Sequence, residues 1–229
     1  MKSYLQIAVI SASIFLSSCA SKFTPAQRDA LSTVAISKGT LGEDAYEDPY
    51  GGDVAMRNNS SNVHGAGALG PLVGLAIGSA VAGTQNNMFV GKNQGYFPAV
   101  KKNMPNNLGE VMTAKLKASL KNDPFFSKRL KDSSPNTVTS EITSTRLIRL
   151  SKNSSGELLF TPEVYATIEL KDSAGKKLAG GGSYIGHGTD TYTVAEYAAS
   201  PEKLRKAYDG AIQSAVTQFM TLLATKTKD

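Results

Sequence analysis

Three stretches of the sequence predict an α+β fold: a four-stranded, mostly antiparallel sheet with two helices packed on one face, plus an inserted Gly/Ala-rich hydrophobic segment. The first is the alternation from Leu158 to Leu170. Leu158, Phe160, Val164, Ala166, Ile168 and Leu170 face one way, and Thr161, Glu163, Tyr165, Thr167 and Glu169 the other. Alternation of that length makes a strand with one covered face and one wetter face. The second is the turn Asp172-Ser173-Ala174-Gly175, which sends the chain back as another strand from Lys177 to Thr189. The third is a pair of helical stripes, one from Leu108 to Leu120 and one from Leu204 to Leu223. Strand, long insertion, helix, three antiparallel strands and long helix make a two-layer sandwich.

Residues 1–18 carry a different signal. Lys2 precedes an apolar run from Tyr4 to Leu16, and the small residues Ser17 and Ser18 follow. A basic start, a short apolar core and a small-residue cut site make a secretory signal peptide. The core is too short to span a bilayer comfortably, so removal is expected over permanent anchorage. Leu16-Ser17-Ser18-Cys19 resembles the lipobox of bacterial lipoproteins. That resemblance implies a diacylglycerol thioether and an N-acyl chain on Cys19, with Cys19 as the first mature residue and no other cofactor. By the same resemblance, Ala20 rather than an aspartate after the cysteine implies sorting to the outer membrane. The competing reading makes Cys19 an incidental small residue at an ordinary cleavage site. Cys19 is, however, the only cysteine in the 229 residues. An unpaired thiol is a liability in an oxidising compartment, and acylation removes it.

The expected organisation is therefore a signal peptide (1–18), a lipidated tether (19–32) and a periplasmic α+β domain (33–229) with an insertion at 40–104. The formal charge of +6 falls to +5 without Lys2, a modest excess that favours anionic lipid or glycan. No basic-aromatic motif accompanies it, so nucleic acid is not an expected partner. Charged residues make up 19%, below the usual quarter, which points to surface covered by lipid or protein.

In chain order, Thr33-Val34-Ala35-Ile36-Ser37 is a β-prone run and the first strand. A buried helical turn is the competing reading. Residues 40–62 make a loop in which Glu43, Asp44, Glu47, Asp48 and Asp53 cluster among glycines and tyrosines. The run lacks the acid spacing of a calcium loop, so a solvated loop is the simpler reading. Gly65 to Gly91 has no charged side chain, and within it Gly70, Gly74, Gly78 and Ala82 recur every four residues. On a helix these four line one smooth face that lets another helix approach closely. Ala66 to Gly83 would give about 27 Å of helix, borderline for a membrane span.

Three readings of this segment stand side by side: packing within the protein or between protomers, entry into the membrane, and a flexible loop. The segment, 65–83 at its core, resembles the glycine-zipper stretches of some envelope lipoproteins. Asn107 and Glu110 have capping-box spacing ahead of Leu108, Val111, Met112, Leu116 and Leu120. Phe125, Phe126 and Leu130 then plug the core. In the strand candidate Thr137–Leu150, Val138, Ile142, Ile148 and Leu150 share a side, and Arg146-Leu147 breaks the pattern as a bulge would. The return strand is rich in glycine (Gly180, Gly181, Gly182, Gly186, Gly188), which marks bulges or a backbone approaching closely. Phosphate cradling is the sharper alternative, but no P-loop pattern accompanies the run. Ser200-Pro201 opens the longest helix, where Leu204, Tyr208, Ala211, Ala215, Phe219 and Leu223 form the stripe.

Catalytic candidates are sparse. His64 and His187 each lack neighbours at metal-ligand spacing, so no metal is expected. Ser183, His187 and Asp190 lie too close together on one extended segment to converge as a triad does. No catalytic residue is assigned, and an enzyme is not expected. From Val34 onward the element order resembles that of several periplasm-facing lipoprotein families: the lipopolysaccharide-assembly lipoproteins, the auxiliary lipoproteins of ABC lipid transporters and the curli-export group. The resemblance implies a non-enzymatic structural or accessory subunit of an envelope complex at the outer membrane. Its expected partners are the membrane, other envelope proteins, and a second copy bound through Gly70, Gly74, Gly78 and Ala82. The alternative is lipid or lipopolysaccharide transport and assembly, with acyl chains shielded between sheet and helices.

Overall fold

The strand read from alternation sits at the heart of the sheet. In a computed structural model that describes residues 22–43, 45–46 and 94–224, the chain forms α1 (Pro25–Ala30), β1 (Ala35–Ile36), β2 (Thr40–Leu41), a 3-10 turn (Gln94–Tyr96), α2 (Phe97–Asn103), α3 (Leu108–Asn122), β3 (Thr137–Lys152), β4 (Leu158–Lys171), β5 (Lys177–His187), α4 (Val194–Ala199) and α5 (Pro201–Ala224). The fold is α+β, with α3 and α5 packed together on one face of the sheet.

The sheet has five strands where four were expected. β3, β4 and β5 are antiparallel neighbours, while β1 and β2 both run parallel to β3 along its far edge. Ala45 and Tyr46 extend that edge, with the Thr145 amide donating to the Ala45 carbonyl at 2.6 Å. The reason is the length of β3: its 16 residues present a long row of amides and carbonyls that need partners. Residues 40–42 and 45–46 are therefore sheet edge rather than the start of a loop, and 97–103, also placed in the insertion, is helix.

Part of the segment read as a tether is folded. Thr24 and Gln27 form a capping box with Pro25 at the first helical position, which starts α1 at once. Phe23 is 1% exposed, Leu31 2%. Residues 22–32 thus belong to the folded domain.

The irregularity expected in β3 is present, but it lies at Thr143. Cross-strand partners pass from Ile142–Ala166 to Ser144–Tyr165, so one extra residue shifts the parity of all that follows. Beyond it Thr145 and Leu147 face the helices. A second slip, between Arg149 and Ser151, leaves Leu150 53% exposed, so Ile148 and Leu150 do not join the core side with Val138 and Ile142.

Asn107 precedes α3 without any side-chain capping bond, and Glu110 instead pairs with Lys38 at 3.1 Å. The expected box between Asn107 and Glu110 does not form. Reciprocal boxes form at Thr24/Gln27 and Thr193/Glu196. The Ser200 hydroxyl accepts from the Lys203 amide at 3.3 Å at the start of α5, as read from Ser200-Pro201. Leu108, Met112, Leu116 and Leu120 meet Leu204, Tyr208, Phe219 and Leu223 over Ile142, Val164 and Ile168, and all are buried.

Glycines in β5 let α5 sit directly on the strand. A Cβ on Gly186 would collide with the Ala211 carbonyl oxygen and lie 2.9 Å from the Ala215 amide nitrogen. Ala207, Ala211 and Ala215 supply the matching small face. Gly180 and Gly181 have φ of +81° and +80° where the β4–β5 pairing slips. Close backbone approach and a bulge account for this run, and α5 fills the space that a phosphate at Gly186 would need.

One half-buried and two buried tyrosines link this packing to pH. Burial pushes the Tyr46 hydroxyl up from its ordinary 10.0 to about 12. It raises Tyr184 further, with Glu169 adding to the effect, and raises Tyr197, whose hydroxyl donates to the Phe160 carbonyl at 3.0 Å. The Tyr184 hydroxyl is buried without a hydrogen-bond partner. Because each folded-state value exceeds the unfolded one, the stability involved is complete below pH 10 and is lost as pH rises through the folded values. Tyrosinate absorbance and circular dichroism should therefore change together above pH 10, and Tyr184→Phe should move that transition to higher pH.

Candidate functional site

Two places in the described fold combine polar groups and burial in ways that packing alone does not require. The first is the sheet face turned away from α3 and α5. Past the Thr143 bulge, Arg146 lies beside Glu163 across β3 and β4, and Glu163 lies beside His187 across β4 and β5. Register alone thus sets a guanidinium, a carboxylate and an imidazole in one row.

Arg146 Nε donates to Glu163 Oε1 at 2.8 Å, and its Nη2 reaches the same oxygen. That nitrogen also donates to the Tyr165 hydroxyl at 2.6 Å, and the guanidinium stands 5.2 Å from the Tyr165 ring centroid. His187 Nδ1 is 3.5 Å from Glu163 Oε2. The side chains of Arg146 and Glu163 are 7% and 9% exposed, that of His187 45%. Charges so far from water persist because each is matched by its neighbour. Half-exposed beside the buried pair, His187 offers its imidazole edge to a ligand.

Ser183 does not join it. On the same strand and four residues away, it stands about 13 Å from His187. The Asp190 carboxylate takes Lys206 at 3.4 Å, and its carbonyl accepts from Thr161 at 3.0 Å. The three residues do not converge. Among the described residues no group of three or more His, Cys, Asp or Glu side chains comes together to hold a metal ion.

The second place is the end of the domain where the chain enters. Phe125 packs edge-on against Phe23 and Phe126, at centroid distances of 6.1 and 4.9 Å. The guanidiniums of Arg28 and Arg129 lie 4.5 and 4.0 Å from its ring centroid. Arg28 donates to the Leu223 carbonyl at 2.6 Å, in the last turn of α5, where a cation suits the negative end of the helix dipole. Arg129 donates to the Leu31 carbonyl at 2.8 Å. The entering segment is thereby locked to the end of the longest helix. Beside it lies an open groove of about 300 Å³ lined by Ala26, Ala30, Leu31 and Leu178, with Gln27, Asn136 and Asp172 also on its wall.

Cys19, Gly70, Gly74, Gly78, Ala82 and His64 lie outside the described residues. His187, read as isolated, has a carboxylate beside it. The Arg146–Glu163 pair escaped the sequence reading, although Arg146 stood out as a break in alternation. Only the register shows that the break and a residue of the wetter face are partners. Among the described residues no helix is long and apolar enough to cross a membrane. No protein-family model matches the chain, and a search of curated proteins finds no match to it.

Proposed function

We propose that this chain is a periplasm-facing lipoprotein, anchored by lipid on Cys19 to the bacterial outer membrane, that serves as a non-enzymatic structural or accessory subunit of a cell-envelope complex. One observation carries the reading: the Leu16–Cys19 lipobox ends four residues before Phe23, which is already in the core. Lipid and fold are then adjacent, as a domain that works at a bilayer surface requires. Two or more acyl chains hold a protein on a membrane almost permanently, since each buried methylene contributes about 0.8 kcal/mol. Self-association is assigned to the small-residue face of Gly70, Gly74, Gly78 and Ala82.

Lipid or lipopolysaccharide handling is the second reading, and the groove beside α1 favours it by placing an apolar surface next to the chain's entry. Intact-mass analysis of protein extracted from membranes tests the first reading. The mature chain should begin at Cys19 and carry a diacylglycerol and an N-acyl adduct; an exported form without lipid mass would overturn it. Native mass spectrometry of the same detergent extract should show discrete homo-oligomers that Gly74→Leu abolishes. A monomer with co-purifying lipid would favour the second reading instead.

A further inference from the structure

We infer that the Phe23 end of the domain rests on the membrane itself, with a cationic rim against the phosphates of anionic headgroups. The inference depends on lipid attachment at Cys19 and adds to it an orientation and a contact surface. Its first support is reach. Four chain steps of no more than ~3.6 Å each lead from Cys19 to Phe23, so the acylated residue stays within about 14 Å of the backbone of a core residue. Phe23 cannot pay out more chain, because it is packed among Phe125 and Phe126 and the segment after it is tied to α5 through Arg28.

The second support is charge. The end that receives Phe23 is built from residues 22–33, the end of α3 with the α3–β3 connection (121–136) and the β4–β5 turn with its flanks (171–177). These segments hold nine Lys and Arg against four Asp and no Glu. Lys22, Lys121, Lys128 and Lys131 are exposed there. At the opposite end, segments 97–110, 151–159 and 187–206 hold six cations against five carboxylates. The domain is thus polarised along its long axis, with the positive end where the anchor enters. Cations within a Debye length of an anionic surface are attracted to it, and salt weakens the attraction.

Single cysteines test this in the full mature protein, where the acylated Cys19 offers no free thiol. Ser127→Cys lies on the cationic rim, and Ser155→Cys lies in the turn beyond β3, about 50 Å away along its 16 residues. Each is labelled with a thiol-reactive fluorophore and reconstituted into phosphatidylethanolamine–phosphatidylglycerol vesicles that carry a headgroup spin label. Quenching should be stronger at position 127 than at 155 by about threefold or more. The difference should shrink in high salt, in phosphatidylcholine vesicles, and on Lys121→Glu with Lys131→Glu.

Equal quenching at both positions, in protein that floats with the vesicles, would overturn the orientation and leave the anchor standing. Protein that fails to float, or wild-type chain that takes the label at Cys19, would overturn the anchor and the orientation with it.

Discussion

Gly186→Ala is expected to destabilise the domain by about 3 kcal/mol, at the upper end for overpacking a core. The added methyl group would meet the Ala211 carbonyl oxygen and the Ala215 amide nitrogen, which are backbone atoms of a 24-residue helix. No rotamer change relieves such a clash. Either α5 lifts from β5, opening the contact under Tyr184 and Phe219, or β5 shifts its register. Urea unfolding followed by circular dichroism should show a lower midpoint with an unchanged slope. Ala211→Gly should fail to rescue the variant, because the colliding atom is main chain. Gly95→Ala, where the new methyl meets nothing within 4 Å, should change stability by no more than about 0.5 kcal/mol. A Gly186→Ala protein as stable as wild type would show that the sheet and α5 are not held at the observed separation.

Glu163→Ala should destabilise the fold by about 3 kcal/mol, the usual loss when one member of a buried ion pair is removed. The variant leaves the Arg146 guanidinium beneath a 7%-exposed surface without its carboxylate. Arg146→Met combined with Glu163→Leu should recover most of that loss, since no unmatched charge is then buried. Chemical denaturation of Arg146→Met, Glu163→Leu and the double variant closes the cycle. A double variant as unstable as the sum of the singles would mean that the two charges act independently. Should Glu163→Ala cost nothing, the row would be solvated, and its value as a site would rest on the exposed His187 alone.

Local pattern made much of this fold readable. Alternation from Leu158 to Leu170, the Asp172–Gly175 turn and the stripe from Leu204 to Leu223 each report neighbours a few residues apart, and the folded elements match them. Gly175 has φ +75° and its amide donates to the Asp172 carbonyl at 3.0 Å, as that turn requires. The edge strands were less legible. β1 and β2 are two residues each, too short for a period to register, and they exist because β3 offers them an edge. The break at Arg146-Leu147 was visible as a break, but its origin three residues upstream was not. A bulge displaces every later residue, so the symptom is separated from the cause.

The same division holds for the candidate site. The proposed acylation at Cys19 rests on contiguous sequence, as do the repeat of Gly70, Gly74, Gly78 and Ala82, the fold class and the two helical stripes. The Arg146–Glu163–His187 row, the seat of Arg28 and Arg129 around Phe125, and the collection of cations at the Phe23 end each join residues from distant parts of the chain. No short-range pattern encodes such meetings. Strand register and helix packing create them, and both are decided only when the whole core closes.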